Sequence, residues 1–353
     1  MCPDTRSAAA AAKLTPIGRI ASRKFEERGQ LKRFDVVVVG AGIAGLKAAM
    51  VLQKGGLDVC VVDKARGPGG RCATRRHETW RFNHGAQYFT ARDPIFQAQL
   101  EDWRQRDVVQ PWPGAIALLS RDSAPGDAAG ASHSRWVGAD GMNGIAKDLA
   151  RDLEVRAGCR IVEMSRDAAG WTLLDQTGAG LAGRWLVVTA PPRQTAELLA
   201  PAAKDLAAAV DEVTMTPCWA VMLGFADDLD DVDYHGAFAT HSPISFLARG
   251  PQKKGWVAHG SVQWSTENLE ADADEAGTAL ANEFLALTGT RHAPQAVVAH
   301  RWRYSMAASP LDGGFLLDQD ACVMTAGDWC LGSRIEAAYL SGNRAAARLL
   351  ELL

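Results

Sequence analysis

Gly40, Gly42 and Gly45 stand at G-x-G-x-x-G spacing directly after the apolar run Val36 to Val39, and Asp63 follows Gly45 by 18 residues. Each residue type answers a need of dinucleotide chemistry. Gly40 lets a chain leave a strand in a tight turn, Gly42 lets backbone approach a pyrophosphate, and Gly45 lets the next helix pack against the strand. Ile43 and Ala44 open that helix, so their amides and the positive end of its dipole face the anion. Asp63, with Lys64 behind it, ends a second apolar run, Val59 to Val62. A carboxylate there can accept hydrogen bonds from both hydroxyls of an adenosine ribose and would repel a 2'-phosphate.

Two further patterns shift the expectation from NAD toward FAD, and noncovalent FAD is expected because the stretch after Gly327-Asp328 offers no cysteine anchor, Cys330 sitting too near that pair. The turn Arg66-Gly67-Pro68-Gly69-Gly70-Arg71 is similar to a G-G-R turn of glutathione-reductase and amine-oxidase type flavoproteins. That likeness places Gly70 and Arg71 beside the phosphates and ribityl chain, with Arg71 supplying a charge-assisted contact. Near the other end, the apolar run Ala321 to Ala326 is followed by Gly327-Asp328 and then by a helix starting near Ile335. In a flavoprotein that carboxylate receives ribityl hydroxyls, and the helix start faces the pyrimidine edge, where negative charge develops.

The elements that must position these residues imply an α/β fold: a Rossmann-type FAD-binding domain with an inserted, mostly antiparallel substrate domain. The FAD-binding domain is expected over 34–93, 136–200 and 313–353, and the substrate domain over 94–135 and 201–312. Apolar runs at 219–225, 244–247, 256–262 and 296–303 read as strands, and Ala276, Leu280, Phe284 and Leu287 as a helix face. A helix is predicted from Pro94 to Arg106, and residues 121–134 read as an exposed loop.

Composition bounds the rest. A chain of 353 residues with 47% hydrophobic and 22% charged content is ordinary for a globular protein. A net charge of -3 leaves no basic footprint, so nucleic acid is not an expected partner. No apolar run reaches the length of a membrane span. The 7 cysteines, scattered and without a C-x-x-C pair, suit a reducing, cytoplasmic setting and neither a disulfide framework nor a metal site. Residues 1–33 are Arg-rich and acid-poor; they read as a disordered extension, with a transit peptide for organellar import as the alternative. Oligomeric state is not legible.

Several segments together resemble the bacterial renalase-like flavoproteins. They are Asp63 to Arg71, Gly85-Ala86-Gln87-Tyr88-Phe89-Thr90-Ala91-Arg92-Asp93, Arg135 to Gly138, His300 to Tyr304, and Gly327-Asp328-Trp329-Cys330. The resemblance runs from about Phe34 to the C-terminus. It implies an oxidase related in fold to monoamine oxidase. Such enzymes oxidise the 2- and 6-dihydro isomers of NAD(P) by hydride transfer to flavin N5 and pass the electrons to O2, forming hydrogen peroxide. It also implies that Gly85, Ala86, Gln87 and Val162 line the cofactor. The alternative is an amine oxidase or a desaturase on the same scaffold.

Amine oxidases tend to place a tyrosine of their aromatic cage before the hydrophobic-Glu pair of the final helix. This chain has Arg334 before Ile335-Glu336. A guanidinium there would repel an ammonium, but could attract a pyrophosphate or stabilise reduced flavin. Candidate substrate contacts in the inserted domain are His259, Gln263 and Trp264 on one strand and Trp302 and Tyr304 on another. Their alternative role is ordinary sheet core. Trp302 and Tyr304 share a face with His300 by strand alternation.

Overall fold

The computed structural model describes residues 31–120, 123–127, 134–252 and 254–353. The expected N-terminal extension falls almost wholly outside them. The dinucleotide unit forms as β1 (Arg33–Val39), α1 (Ile43–Lys54) and β2 (Val59–Asp63), with β1 and β2 parallel and Val36 opposite Val59. Valines alternate between two cores. Val36, Val38, Val59 and Val61 face α1 and the C-terminal helix, whereas Val37, Val39, Cys60 and Val62 face the other side. Both faces of the strands are buried, which is why they read as continuous apolar runs rather than as alternation.

The first sheet has 8 strands, ordered Ile161–Asp167, Gly170–Asp175, Gly180–Val188, β1, β2 and Glu154–Ala157. Val323–Ala326 pairs parallel with the end of Gly180–Val188, and Phe315–Asp318 pairs antiparallel with it in turn. The late strand therefore delivers Gly327 and Asp328 to the carboxyl end of the same sheet that presents the glycine turn. That end is where ligands bind in open α/β sheets.

The second sheet has 7 strands, ordered Ala296–Ala307, Met215–Gly224, Gly255–Gly260, Ile244–Arg249, Gly236–Thr240, Ile116–Ser120 and Ser123–Asp127. It is antiparallel except where Gly236–Thr240 runs parallel to Ile116–Ser120. The helix Ala273–Thr288, capped by Asp272 and closed by Gly289 in the left-handed region, covers its back with Ala276, Leu280 and Phe284. Trp80 and Phe82 pack on its front against Ala220, Met222 and Val257.

Three details differ from the sequence reading. Ser123–Asp127 is a strand inside the stretch read as a loop, while 121–122 and 128–133 lie outside the described residues. Phe96, Leu100 and Trp103 of the helix Pro94–Gln105 join the core on the α1 side of the first sheet, and Leu206 and Val210 of Lys204–Asp211 join the core on its other face. Apolar contacts thus cross the expected boundaries at 94 and 201, because amphipathic helices bury their stripe against whichever sheet lies beside them. Third, Gln263 and Trp264 are not on the strand of His259. Ser261 accepts a hydrogen bond from the Trp264 amide and caps a helix, Val262–Glu267, which ends the strand at Gly260.

Candidate active site

The N-terminus of α1 is built to receive an anion. Its cap is Gly42, which offers no side chain, and its first turn carries no acidic residue. A Cβ added at Gly42 would meet nothing within 4 Å, so the space before Ile43 and Ala44 is open. A Cβ added at Gly45 would lie 2.0 Å from the Gly40 carbonyl oxygen, so only glycine allows the helix to start this close to the turn. Asp63 stiffens the turn from the tip of β2, accepting the Ala41 and Ala65 amides at 2.7 Å each. Each carboxylate oxygen keeps further lone pairs for a ribose. Lys64 reaches outward to Gln194 Oε1 at 2.9 Å, and burial holds its ammonium below its ordinary pKa.

The backbone around 158–159 docks on this corner, since the Gly158 and Cys159 amides donate to the Ala65 and Asp63 carbonyls, each at 2.8 Å. Val162 follows in a strand that pairs with a single neighbour, its side chain 57% exposed.

Gly69 is tied to the glycine turn by its amide on the Ala41 carbonyl at 2.9 Å, which carries Gly70 to the same mouth. Arg71 then turns across to the far end of the chain. Its guanidinium donates to Asp328 Oδ2 at 2.8 Å, to Asp328 Oδ1 at 2.5 Å and to the Ser305 carbonyl at 2.7 Å. Asp328 is buried and Arg71 half-buried. The Ala86 amide bonds the Arg71 carbonyl at 2.8 Å, which sets Gly85 and Ala86 against the same strut.

The C-terminal helix, Ile335–Leu352, begins at Arg334 with no side-chain cap. Glu336 is buried in its first turn, where its carboxylate accepts the Arg92 and Asp93 amides at 2.5 and 2.8 Å. Arg334 is half-exposed with its guanidinium 3.9 Å from Glu336. The helix crosses α1 so closely that a Cβ on Gly342 would sit 2.1 Å from the Ala44 carbonyl oxygen. The two helix starts and the Arg71–Asp328 pair therefore frame one elongated cradle. An open phosphate-sized approach, a ribose-ready carboxylate and a ribityl-ready one fit FAD. The buried thiols of Cys72 and Cys330 are both pushed up to about 12 by burial, which suits noncovalent binding.

Above this lies a set of rings. Trp302 donates its indole N–H to the His84 carbonyl at 2.9 Å and stacks on the His84 imidazole at 5.0 Å. His300 stands edge-on to both rings, at 4.9 Å from His84 and 4.3 Å from Trp302. His259 Nε2 lies 3.3 Å from the His84 carbonyl oxygen and 3.5 Å from Gln87 Nε2. Burial, reinforced by His300, Arg75 and His259, drives His84 down to about 3. Desolvation alone drives His259 down to about 4. Burial, with Arg75, also lowers His300. All three imidazoles are therefore neutral at pH 7 and offer one donor and one acceptor each.

The sequence reading placed a wall of Trp302 and Tyr304 here. The structure gives one face of Trp302 to His84, and Tyr304 joins no aromatic pair among the described residues. His84 escaped that reading because its neighbours come from other elements, although its place beside Gly85-Ala86 was a usable signal. A separate group, Asp230, Asp231 and His292, brings ligand atoms within 4.8 Å of one another. Asp231 of this group accepts from Thr290 Oγ1 and the Arg291 amide, and His292 Nε2 lies 3.1 Å from Asp230 Oδ1.

Residues 38–102 match the sequence profile of an NAD(P)-binding Rossmann-like domain, and residues 126–350 match that of the flavin containing amine oxidoreductases. Local similarity links the chain to the hydroxyneurosporene desaturase of Rubrivivax gelatinosus, 46% identical over 71 residues, or 19% of this chain and 14% of that one. The L-amino-acid oxidase of Sistrurus catenatus edwardsii is 48% identical over 66 residues, 19% of this chain and 13% of that one. These matches thus span about a seventh of each relative. Among solved structures, a candidate protoporphyrinogen oxidase from Exiguobacterium sp. 255-15 aligns with TM-score 0.73 at 13% identity, covering 91% of this chain and 99% of that one. Putrescine oxidase bound to putrescine aligns with TM-score 0.68 at 12% identity, covering 90% and 99%. The second profile covers more than half of the chain, and the protein belongs to the flavin containing amine oxidoreductase family.

Proposed function

We propose that this FAD-dependent oxidoreductase is a renalase-like oxidase, converting the 2- or 6-dihydro isomers of NAD(P) to NAD(P)+ with O2 reduced to hydrogen peroxide. Bound FAD would supply the hydride acceptor at N5 and the route to O2. The α1 amides would hold its pyrophosphate, Asp63 its adenosine ribose, and Asp328 and Arg71 its ribityl chain and phosphates. Arg334 and the start of the C-terminal helix would lie toward its pyrimidine edge. The substrate ring lies against the wall of Trp302 and His84, and neutral His259 hydrogen-bonds its carboxamide while Tyr304 closes the side. The product pyridinium is aromatic, so hydride loss runs downhill without a general base. His259, held near 4, is suited to orientation rather than to proton removal.

The observation that carries this reading is Arg334 at the uncapped start of the final helix. A cation there repels an amine substrate and attracts a dinucleotide's phosphates. Measured O2 uptake should be fast with borohydride-reduced NAD, with one peroxide formed per substrate consumed. Turnover confined to amines would reject it. Amine oxidation or desaturation stands as the second reading, favoured by the family and by the local match to a desaturase.

A further inference from the structure

One cross-strand row runs over six strands of the second sheet. Leu118 pairs with Phe238, Phe238 with Phe246, Phe246 with His259, His259 with Ala220, and Ala220 with His300. Directly paired residues share a face, so the row is a continuous floor. It changes character along its length. The His259 and His300 end adjoins Gln87, His84 and Trp302, whereas at the other end Phe238 and Leu118 are 37% and 41% exposed.

The exposed end is aromatic and also carries a cation. Phe246 contacts Phe238 at 4.9 Å and Tyr88 at 5.9 Å, and Tyr88 contacts Trp112 at 5.5 Å. The Arg135 guanidinium lies 5.4 Å over Tyr88. Among the described residues Arg135 forms no ion pair. A purely hydrocarbon ligand would leave its guanidinium without a counter-charge. A base joined to phosphate supplies one, since bases stack on aromatic rings and guanidinium groups bind phosphate.

We infer that Phe238, Phe246, Tyr88, Trp112 and Arg135 form a subsite for the adenosine-phosphate half of a dinucleotide substrate. The inference rests on the oxidase reading above, which puts the nicotinamide half at His259. Phe238 stands two strand spacings from His259, about 10 Å along the row, so the two ends serve different parts of one elongated molecule.

Calorimetric titration of the FAD-loaded protein with ADP-ribose tests the subsite without turnover. Phe246→Leu and Arg135→Gln, each retaining full flavin content, should weaken ADP-ribose binding by about tenfold or more. In the oxidase assay they should raise KM for dihydro-NAD isomers by a similar factor. KM for the corresponding dihydronicotinamide mononucleotide, which lacks the adenosine half, should not move. Unchanged ADP-ribose binding in both variants, or equal KM increases for dinucleotide and mononucleotide, overturns the subsite. ADP-ribose binding that depends on Phe246 and Arg135 in a protein inert toward the dihydro isomers upholds the subsite and rejects the oxidase reading.

Discussion

Arg71 and Asp328, 257 positions apart in sequence, meet in a two-pronged ion pair that joins the glycine-rich turn to the end of the last strand of the first sheet. The same guanidinium reaches the Ser305 carbonyl in the second sheet. One side chain therefore ties together both halves of the cofactor cradle and the domain above it. Removing Asp328 leaves Arg71 without its carboxylate and removes the acceptor proposed for the ribityl hydroxyls. Asp328→Ala should lower FAD affinity at least about tenfold, the loss of a charge-assisted hydrogen bond. Fluorescence titration of stripped protein with FAD reads this directly, and wild-type affinity in the variant would remove Asp328 from the cofactor site.

Two glycines three residues apart should fail differently. Gly45→Ala drives a methyl group into the Gly40 carbonyl and should destabilise the protein with or without FAD, by about 1–3 kcal/mol or more. Gly42→Ala enters open space, so the stripped protein should keep its stability within about 1 kcal/mol. Its FAD affinity should nonetheless fall, because the methyl group would occupy the approach proposed for the pyrophosphate. Thermal unfolding of both variants, stripped and loaded, separates the effects. A Gly42→Ala protein that binds FAD as wild type does would displace the pyrophosphate from α1.

Acid precipitation should release all of the yellow chromophore into the supernatant. The thiols nearest the cradle are buried and protonated, Cys72 and Cys330 both near 12. Flavin retained in a washed pellet would show a covalent bond.

The histidine cluster makes stability pH-dependent in one direction. An unfolded histidine titrates near 6.5, whereas folded His84 and His259 titrate near 3 and 4. Below about pH 6.5 the unfolded chain takes up protons that the folded one refuses, so stability falls as pH drops. Above that pH both states are neutral at these groups and their contribution is flat. His259→Gln should flatten the acid limb by at most about 1.4 kcal/mol per pH unit. Denaturant titrations from pH 7.5 to 5 measure this, and parallel curves for wild type and variant would contradict the assigned burial.

How much of this was legible in the sequence follows from contact range. The Gly40-Gly42-Gly45 turn and Asp63 were legible because strand, turn and helix are adjacent in the chain and each glycine has a local reason. Gly327-Asp328 was legible through its motif, but its pairing with Arg71 was not, because no local pattern fixes a contact across 257 positions. The strands Ile116–Ser120 and Gly236–Thr240 were missed because they are short and their alternation is broken by Ala117 and Ala237 on the buried face. Gln263 and Trp264 were misplaced because the Ser261 cap is as compatible with a loop as with a helix start. The row from Leu118 to His300 depends on the register of five strand pairs, which only the folded sheet supplies.

The central claim is the identity of the hydride donor, and anaerobic stopped-flow mixing of the FAD-loaded protein tests it most directly. The 2- or 6-dihydro isomers of NAD(P) should bleach the flavin absorbance rapidly, while ordinary 4-dihydro-NADH, whose hydride sits at a different ring position, should react far more slowly. Bleaching by benzylamine or a catecholamine that outpaces the dihydro isomers would contradict the account and make the protein an amine oxidase.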